Sequence, residues 1–105
     1  MTTHVAEAAV PTTSASRYLQ QLCKHWSHKF ATAFNAESGE IVFPRDARGA
    51  SYPADAVVNL TATPATLEVR VRASDARQLE GVKSAVASHL DRFAFREAPL
   101  AFEWR

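Results

Sequence analysis

The sequence of 105 residues lacks several features that whole classes of protein require. Its single cysteine, Cys23, excludes an internal disulfide and a paired-cysteine metal site, and is typical of a reducing compartment. No run of 18 apolar residues occurs, and the first dozen residues contain no apolar run of signal-peptide length. We therefore expect a cytoplasmic protein with no membrane partner.

A strong excess of charge is also absent. The 12 basic and 11 acidic residues are scattered along the chain and give a net charge of +1, which produces no field able to gather nucleic acid. The sequence has no glycine-rich phosphate loop, no serine nucleophile elbow and no metal-spaced cysteine pairs. These absences argue against a nucleic-acid partner and favour a non-enzymatic role over catalysis.

The chain length and a hydrophobic content of 47% are typical of one domain with its own core, which we place at residues 1–105. We expect residues 1–3 to be disordered. The segment 44–53 combines two prolines, a glycine and charged residues without apolar periodicity, which predicts a mobile loop.

Apolar residues at spacings of three and four predict two amphipathic helices. The first begins near a cap at Thr13 or Ser14, and the second near a cap at Ser74 or Asp75. Gly81 lies within the second helix and should weaken it by up to about 1 kcal/mol relative to alanine. The apolar positions are Tyr18, Leu19, Leu22, Cys23, Trp26 and Phe30 in the first segment, and Leu79, Val82, Val86, Leu90 and Phe93 in the second.

Alternating segments predict strands. Residues 30–43 indicate a hairpin around "NAESG", two further runs flank Thr63 and Pro64, and "PLAFEWR" predicts a closing strand. With a strand at "HVAEAAV", the order is (β)αββββαβ. This order predicts an α+β two-layer sandwich, an antiparallel sheet of about five to six strands with both helices on one face. A ferredoxin-like arrangement with an added hairpin and a helix-grip arrangement both fit.

Two stretches, "SRYLQQLCKHWSHKF" and "HLDRFAFREAPLAFEW", resemble the bacterial family catalogued as domain of unknown function 2218. The likeness extends from the first strand to the final tryptophan. The resemblance implies a small cytoplasmic bacterial protein with no established reaction. It also implies an iron-related setting, because members are often found near siderophore-interacting flavoproteins.

The nonapeptide "LCKHWSHKF" concentrates reactive side chains in the first helix. His25 and His28 lie about 60° apart around a helix, whereas Cys23 lies about 160° from His25, so one site cannot easily use all three. A metal site on the two histidines needs further ligands, which no spacing indicates. The alternative is that Lys24, His25, His28 and Lys29 form a solvated helix face.

Other polar and aromatic residues next to the core have structural interpretations. Cys23 lies on the apolar helix face, where burial suppresses the thiolate, so we predict a packing role for it. We expect His89 to be a hydrogen-bonded histidine at the edge of the core, and Trp26 and Trp104 to be core residues.

The segment "DRFAFRE" places Arg92, Arg96 and Glu97 around two phenylalanines where the second helix ends. Arginines there favour the helix dipole, and they also suit bidentate binding of a carboxylate or phosphate. Both polar clusters are near helix C-termini, which we expect to meet at one end of the sandwich. We therefore hypothesise that His25, His28 and Arg96 border one shallow site for an anion or chelate.

Three functional interpretations follow. The first is a module that binds a small molecule or a partner protein, accessory to iron or siderophore handling, and the lack of a complete catalytic constellation favours it. The others are a small haem-modifying enzyme and a histidine-based metal-binding protein. The sequence specifies no cofactor, and it is compatible with a monomer or a homodimer.

Overall fold

Five strands and two helices form the fold, in a computed structural model that describes residues 3–105 apart from the side chain of Arg48. Of residues 1–3, which we expect to be disordered, Met1 and Thr2 lie outside the described residues. A single turn of 3-10 helix, Ala47–Gly49, lies within the long loop. In chain order, the elements are β1 (His4–Pro11), α1 (Ala15–Trp26), β2 (Ala31–Phe34), β3 (Ser38–Phe43), β4 (Ala56–Ala62), β5 (Thr66–Ala73) and α2 (Ala76–Phe93).

The sheet order is β1-β5-β4-β3-β2, and every neighbouring pair of strands is antiparallel. Strands β2 to β5 form a meander, because each pairs with the next along the chain, and β1 completes the sheet beside β5. Within residues 3–105 no strand follows α2, so the order matches the helix-grip alternative better than the ferredoxin-like one. The predicted α+β sandwich is confirmed, with five strands.

One face of the sheet is covered by both helices. In β5, Leu67, Val69 and Val71 are buried, while the intervening Glu68 and Arg70 are exposed. A single cluster joins these strand residues to the buried faces of α1 and α2, which places both helices on the same side. No helix of the described residues is long and apolar enough to cross a membrane. The largest fully buried side chains are Leu19, Leu22, Ile41, Leu60, Leu67, Leu90, Val10, Val58, Val69, Val71, Val86 and Cys23.

The start of α2 follows the sequence prediction. The Asp75 side chain accepts a hydrogen bond from the backbone N–H of Arg77. The buried Gln78 accepts hydrogen bonds from both the backbone N–H and the hydroxyl of Ser74, and its amide donates to the Ala54 carbonyl. Gln78 therefore fixes the helix start against the loop before β4.

The start of α1 differs from the prediction in its capping bond. Ser14 is the N-cap residue, but its side chain makes no capping hydrogen bond. Instead, the hydroxyl of Thr12 accepts from the Ser14 backbone N–H. Thr12, which precedes the predicted cap residues Thr13 and Ser14, thus supplies the hydroxyl that stabilises the turn into the helix.

The prediction of a closing strand is wrong, although the alternation correctly identified the side chains that face the core. Residues 94–105 contain no strand, and the Leu100 backbone N–H donates to the Asp91 side chain. Leu100 is buried and Phe102 and Trp104 are half-buried against the core, as the alternation predicted. The backbone of the segment bonds a strand at Arg105, whose N–H donates to the Glu7 carbonyl of β1 and whose carbonyl accepts from the Glu7 N–H. Apolar packing therefore holds the segment in place, without a ladder of strand hydrogen bonds.

Candidate functional site

The two helices run antiparallel, and this decides which polar residues meet. Helices α1 and α2 follow β1 and β5, which are adjacent antiparallel strands, so helices that return over them also point in opposite directions. The His25 ring near the end of α1 therefore lies 5.2 Å from the His89 ring and 5.8 Å from the Phe93 ring, between ring centroids. His25, near the C-terminal end of α1, thus contacts Phe93, the last residue of α2, whereas the residues that follow α2 reach the first half of α1.

An open groove of about 210 Å³ lies where the end of α2 passes α1. Arg17, Gln21 and His25 form one ridge along α1, because residues four apart lie on one side of a helix. Arg17 and His25 are about 12 Å apart along the helix axis, so the ridge has one end at Arg17, beside the groove, and another at His25. The residues that line the cavity are Arg17, Tyr18, Gln21, Phe93, Ala94, Phe95 and Arg96.

Arg96, one of the predicted site residues, lines this groove together with Arg17, which sequence reasoning missed. Neither guanidinium forms an ion pair with a carboxylate among the described residues. The Arg96 guanidinium lies 5.8 Å from the centre of the Phe95 ring. The i, i+4, i+8 spacing of Arg17, Gln21 and His25 was the sequence signal that could have identified the α1 side.

A hydrogen-bond network connects the turn after α2 to the start of α1. Glu97 accepts a hydrogen bond of 3.0 Å from the Thr12 hydroxyl and another from the Tyr18 hydroxyl. The hydrogen bond to Glu97, burial and the negative charge of Glu97 all raise the pKa of Tyr18. Because Glu97 follows Arg96 directly, this network fixes the backbone that carries Arg96 at the groove.

The predicted histidines occupy the other end of the α1 ridge. His25 in the last turn of α1 and His28 in the turn beyond it are both exposed. Partial desolvation of the ring lowers the pKa of His25, and the positive charges of its neighbours lower it further. Those neighbours, in decreasing order of effect, are His89, Lys29, Arg92 and His28. The ridge end is therefore a cluster of basic groups.

His89 lies between the core and this basic cluster. Its ring Nδ1 is 2.7 Å from the Ala85 carbonyl oxygen, so Nδ1 donates a hydrogen bond to that carbonyl. Its ring also packs 4.8 Å from that of the buried Trp26, which matches the expectation of a hydrogen-bonded histidine beside the core. Among residues 3–105, no group of three or more His, Cys, Asp or Glu side chains is placed to hold a metal ion.

Cys23 belongs to the core. Its side chain is fully buried, and burial raises the pKa of the thiol to about 11. The thiolate that a nucleophile requires is therefore scarce at neutral pH. The predicted packing role matches this environment.

A second cavity, of about 260 Å³, lies between the 44–53 loop and the first half of α2. Its walls are mainly apolar and include Phe30, Phe43, Tyr52 and Gly81. The polar side chain of Gln78 lines it, but already makes the hydrogen bonds at the helix start. None of the described side chains that line this cavity is charged, so among them it lacks the convergent polar groups of the groove beside Arg96.

Comparisons with known proteins place the chain in a family. No curated protein matches it. The NMR structure of PA4090 from Pseudomonas aeruginosa is similar to it, with a TM-score of 0.73, 31% identity, and coverage of 96% of this chain and 94% of that one. The family described as an uncharacterized protein conserved in bacteria, DUF2218, matches residues 7–105. The chain therefore belongs to the DUF2218 family, as its two end motifs predicted.

Proposed function

We propose that this protein is a non-catalytic binding module that takes a small anionic molecule in the groove between α1 and the end of α2. The observation that carries the proposal is that two arginines, Arg17 and Arg96, line one cavity and that no carboxylate of the described residues is paired with either. A guanidinium offers parallel N–H donors that match the oxygens of a carboxylate or phosphate.

Helix stability does not account for Arg17. It lies in the first turn of α1, where the helix dipole is positive and a cation is unfavourable, and that turn contains no acidic residue. Arg96, by contrast, follows the C-terminal end of α2, where a cation is favourable. Arg17 is therefore the stronger indication that this region is built to attract an anion.

His25 and His28 complete the proposed site as a second basic patch along the same ridge. They stand with Lys29 and Arg92 near the end of α1, about 12 Å along the helix from Arg17. A small ligand at Arg17 and Arg96 does not need them. A longer anionic chelate would contact both ends, which is how His25, His28 and Arg96 would share one site.

The size and donor set of the site favour this function over the two alternatives. A cavity of about 210 Å³ is smaller than the roughly 300–1,000 Å³ of a pocket for a drug-sized ligand, so it suits a small anion better than haem. The adjacent pair His25 and His89 supplies two imidazoles, whereas zinc sites in proteins use three or four protein ligands.

The setting that we propose is the cytoplasm, in keeping with the reduced, buried Cys23. An accessory role in iron or siderophore handling would give the groove an anionic iron chelate as its ligand. The arginines recognise the carboxylate or phosphate oxygens of such a molecule and do not require the iron.

Titration of the ¹⁵N-labelled protein with acetate, followed by amide chemical shifts, tests the proposal. We expect saturable shifts around the groove, and an increase of about tenfold or more in the dissociation constant for Arg17→Gln and Arg96→Gln, because a charge-assisted hydrogen bond contributes about 1.5–3 kcal/mol. Arg77→Gln is the matched control, since Arg77 lies about 24 Å along α2 from Phe93. Equal affinities for the three variants would overturn the proposal.

A further inference from the structure

We infer that the ligand of the groove is an aromatic monocarboxylate, a planar ring that carries one anionic group. This inference rests on the proposed function, because it assigns a ligand class to the same groove. The inference is drawn from the aromatic side chains beside the two arginines. These side chains would have no role in binding an anion without a ring.

Phe95 is the central observation. Its side chain is 73% exposed, the highest value among the large hydrophobic residues exposed in the described part of the chain. It lines the groove directly beside Arg96, whose guanidinium lies over its ring. An exposed ring at a cavity gains free energy when an apolar surface covers it, and a ligand ring supplies such a surface.

Two further aromatic residues line the cavity. The Phe93 ring is half-buried on the α2 side, and Tyr18 lies on the α1 side. Tyr18 is mostly buried and its hydroxyl is already bonded to Glu97, so it offers the ligand only an edge of its ring and no free hydroxyl donor. The groove therefore presents aromatic walls, with the guanidiniums of Arg17 and Arg96 and the amide of Gln21 as its polar groups.

The local charge favours a monoanion. Two guanidiniums line the groove, and the nearby Glu97 carboxylate, bonded to Thr12 and Tyr18, contributes one negative charge behind it. At the groove itself these charges sum to one positive charge, which a single carboxylate neutralises. A ligand whose ring covers Phe95 and whose carboxylate faces the arginines matches both the apolar and the charged surface of the groove.

The test compares three probes by NMR titration at constant ionic strength: benzoate, acetate, which lacks the ring, and benzamide, which lacks the charge. We expect benzoate to bind about threefold to tenfold more tightly than acetate, the factor that one favourable aromatic contact contributes. Benzamide should bind more weakly than benzoate.

Phe95→Ala should abolish the preference for benzoate over acetate. Phe34→Ala, which removes a phenylalanine that is 37% exposed on β2, is the matched control and should keep the preference. Saturable but equal binding of acetate and benzoate at the groove would overturn the inference while the proposed function stands. If neither anion produces saturable shifts at the groove, both fail.

Discussion

Gly39 of β3 lies so close to α1 that a methyl group on it would come within 2.8 Å of the sulfur of Cys23. The same methyl group would approach a Leu19 methyl carbon and the Cβ of Phe34 at 3.3 Å. Cys23 is fully buried, in the core between α1 and the sheet. The absence of a side chain at Gly39 thus allows α1 to pack directly on β3.

Gly39→Ala should lower the free energy of unfolding by about 1–3 kcal/mol, the usual cost of overpacking, as measured by urea denaturation. In a Cys23→Ala background the same change should cost less, because the obstructing sulfur is gone. Gly81→Ala is the control: no atom lies within 4 Å of its added methyl group, so it should stabilise α2 by up to about 1 kcal/mol. Equal effects at the two glycines would contradict the close approach.

Trp26 and the two neighbouring histidines should respond differently to substitution. The Trp26 side chain is buried, and Trp26→Ala should cost about 3–5 kcal/mol of stability. His25 and His28 are exposed, so the double change His25→Gln with His28→Gln should stay within about 0.5 kcal/mol. Thermal denaturation compares the variants. A double variant that melts several degrees lower would make the histidines structural and remove them from the proposed site.

The Glu97 network should couple the fold to the groove. Tyr18→Phe removes one hydroxyl donor to Glu97 and should cost about 1 kcal/mol in urea denaturation. It should also weaken acetate binding, because the turn that carries Arg96 loses an anchor. Tyr52→Phe, in the 44–53 loop, is the control and should change neither quantity. An unchanged acetate affinity in Tyr18→Phe would show that this network does not position Arg96.

The His25 ring should titrate below the ordinary histidine pKa of about 6.5 in the folded protein. As the pH falls through about 6.5, the unfolded state then binds the proton more readily than the folded state, so stability decreases with decreasing pH. His25→Gln should flatten this part of the pH profile of unfolding. In an NMR titration, His89→Gln should raise the pKa of His25, since His89 is its largest source of repulsion. An unchanged pKa would contradict the mutual repulsion of the two rings.

The parts of the fold that rest on local periodicity were predictable from the sequence. The apolar stripe through Leu22 and Trp26, the cap at Asp75 and the alternation in β5 each act within a few residues, and the structure contains all three. The closing segment was misjudged because alternation reports which side chains face the core. It does not report whether a backbone finds a partner strand.

The candidate site was predicted only in part, because its contacts join distant parts of the chain. The Tyr18 hydroxyl bonds Glu97 across 79 positions, and Arg17 and Arg96 line one groove because the helices run antiparallel. No spacing within either motif reports such a pairing. Arg96, His25 and His28 stood out by their chemistry, whereas the role of Arg17 depends on the packing of α1 against α2.

The most direct test of the central claim is to observe the arginine side chains themselves. In one NMR titration with benzoate at constant ionic strength, the Nε–Hε signals of Arg17 and Arg96 report on the groove, and that of Arg77 is an internal reference at the far end of α2. An anion-binding groove predicts that the Arg17 and Arg96 signals shift together and saturate at one dissociation constant, while the Arg77 signal stays in place. Small, unsaturated shifts of equal size at all three arginines would contradict it.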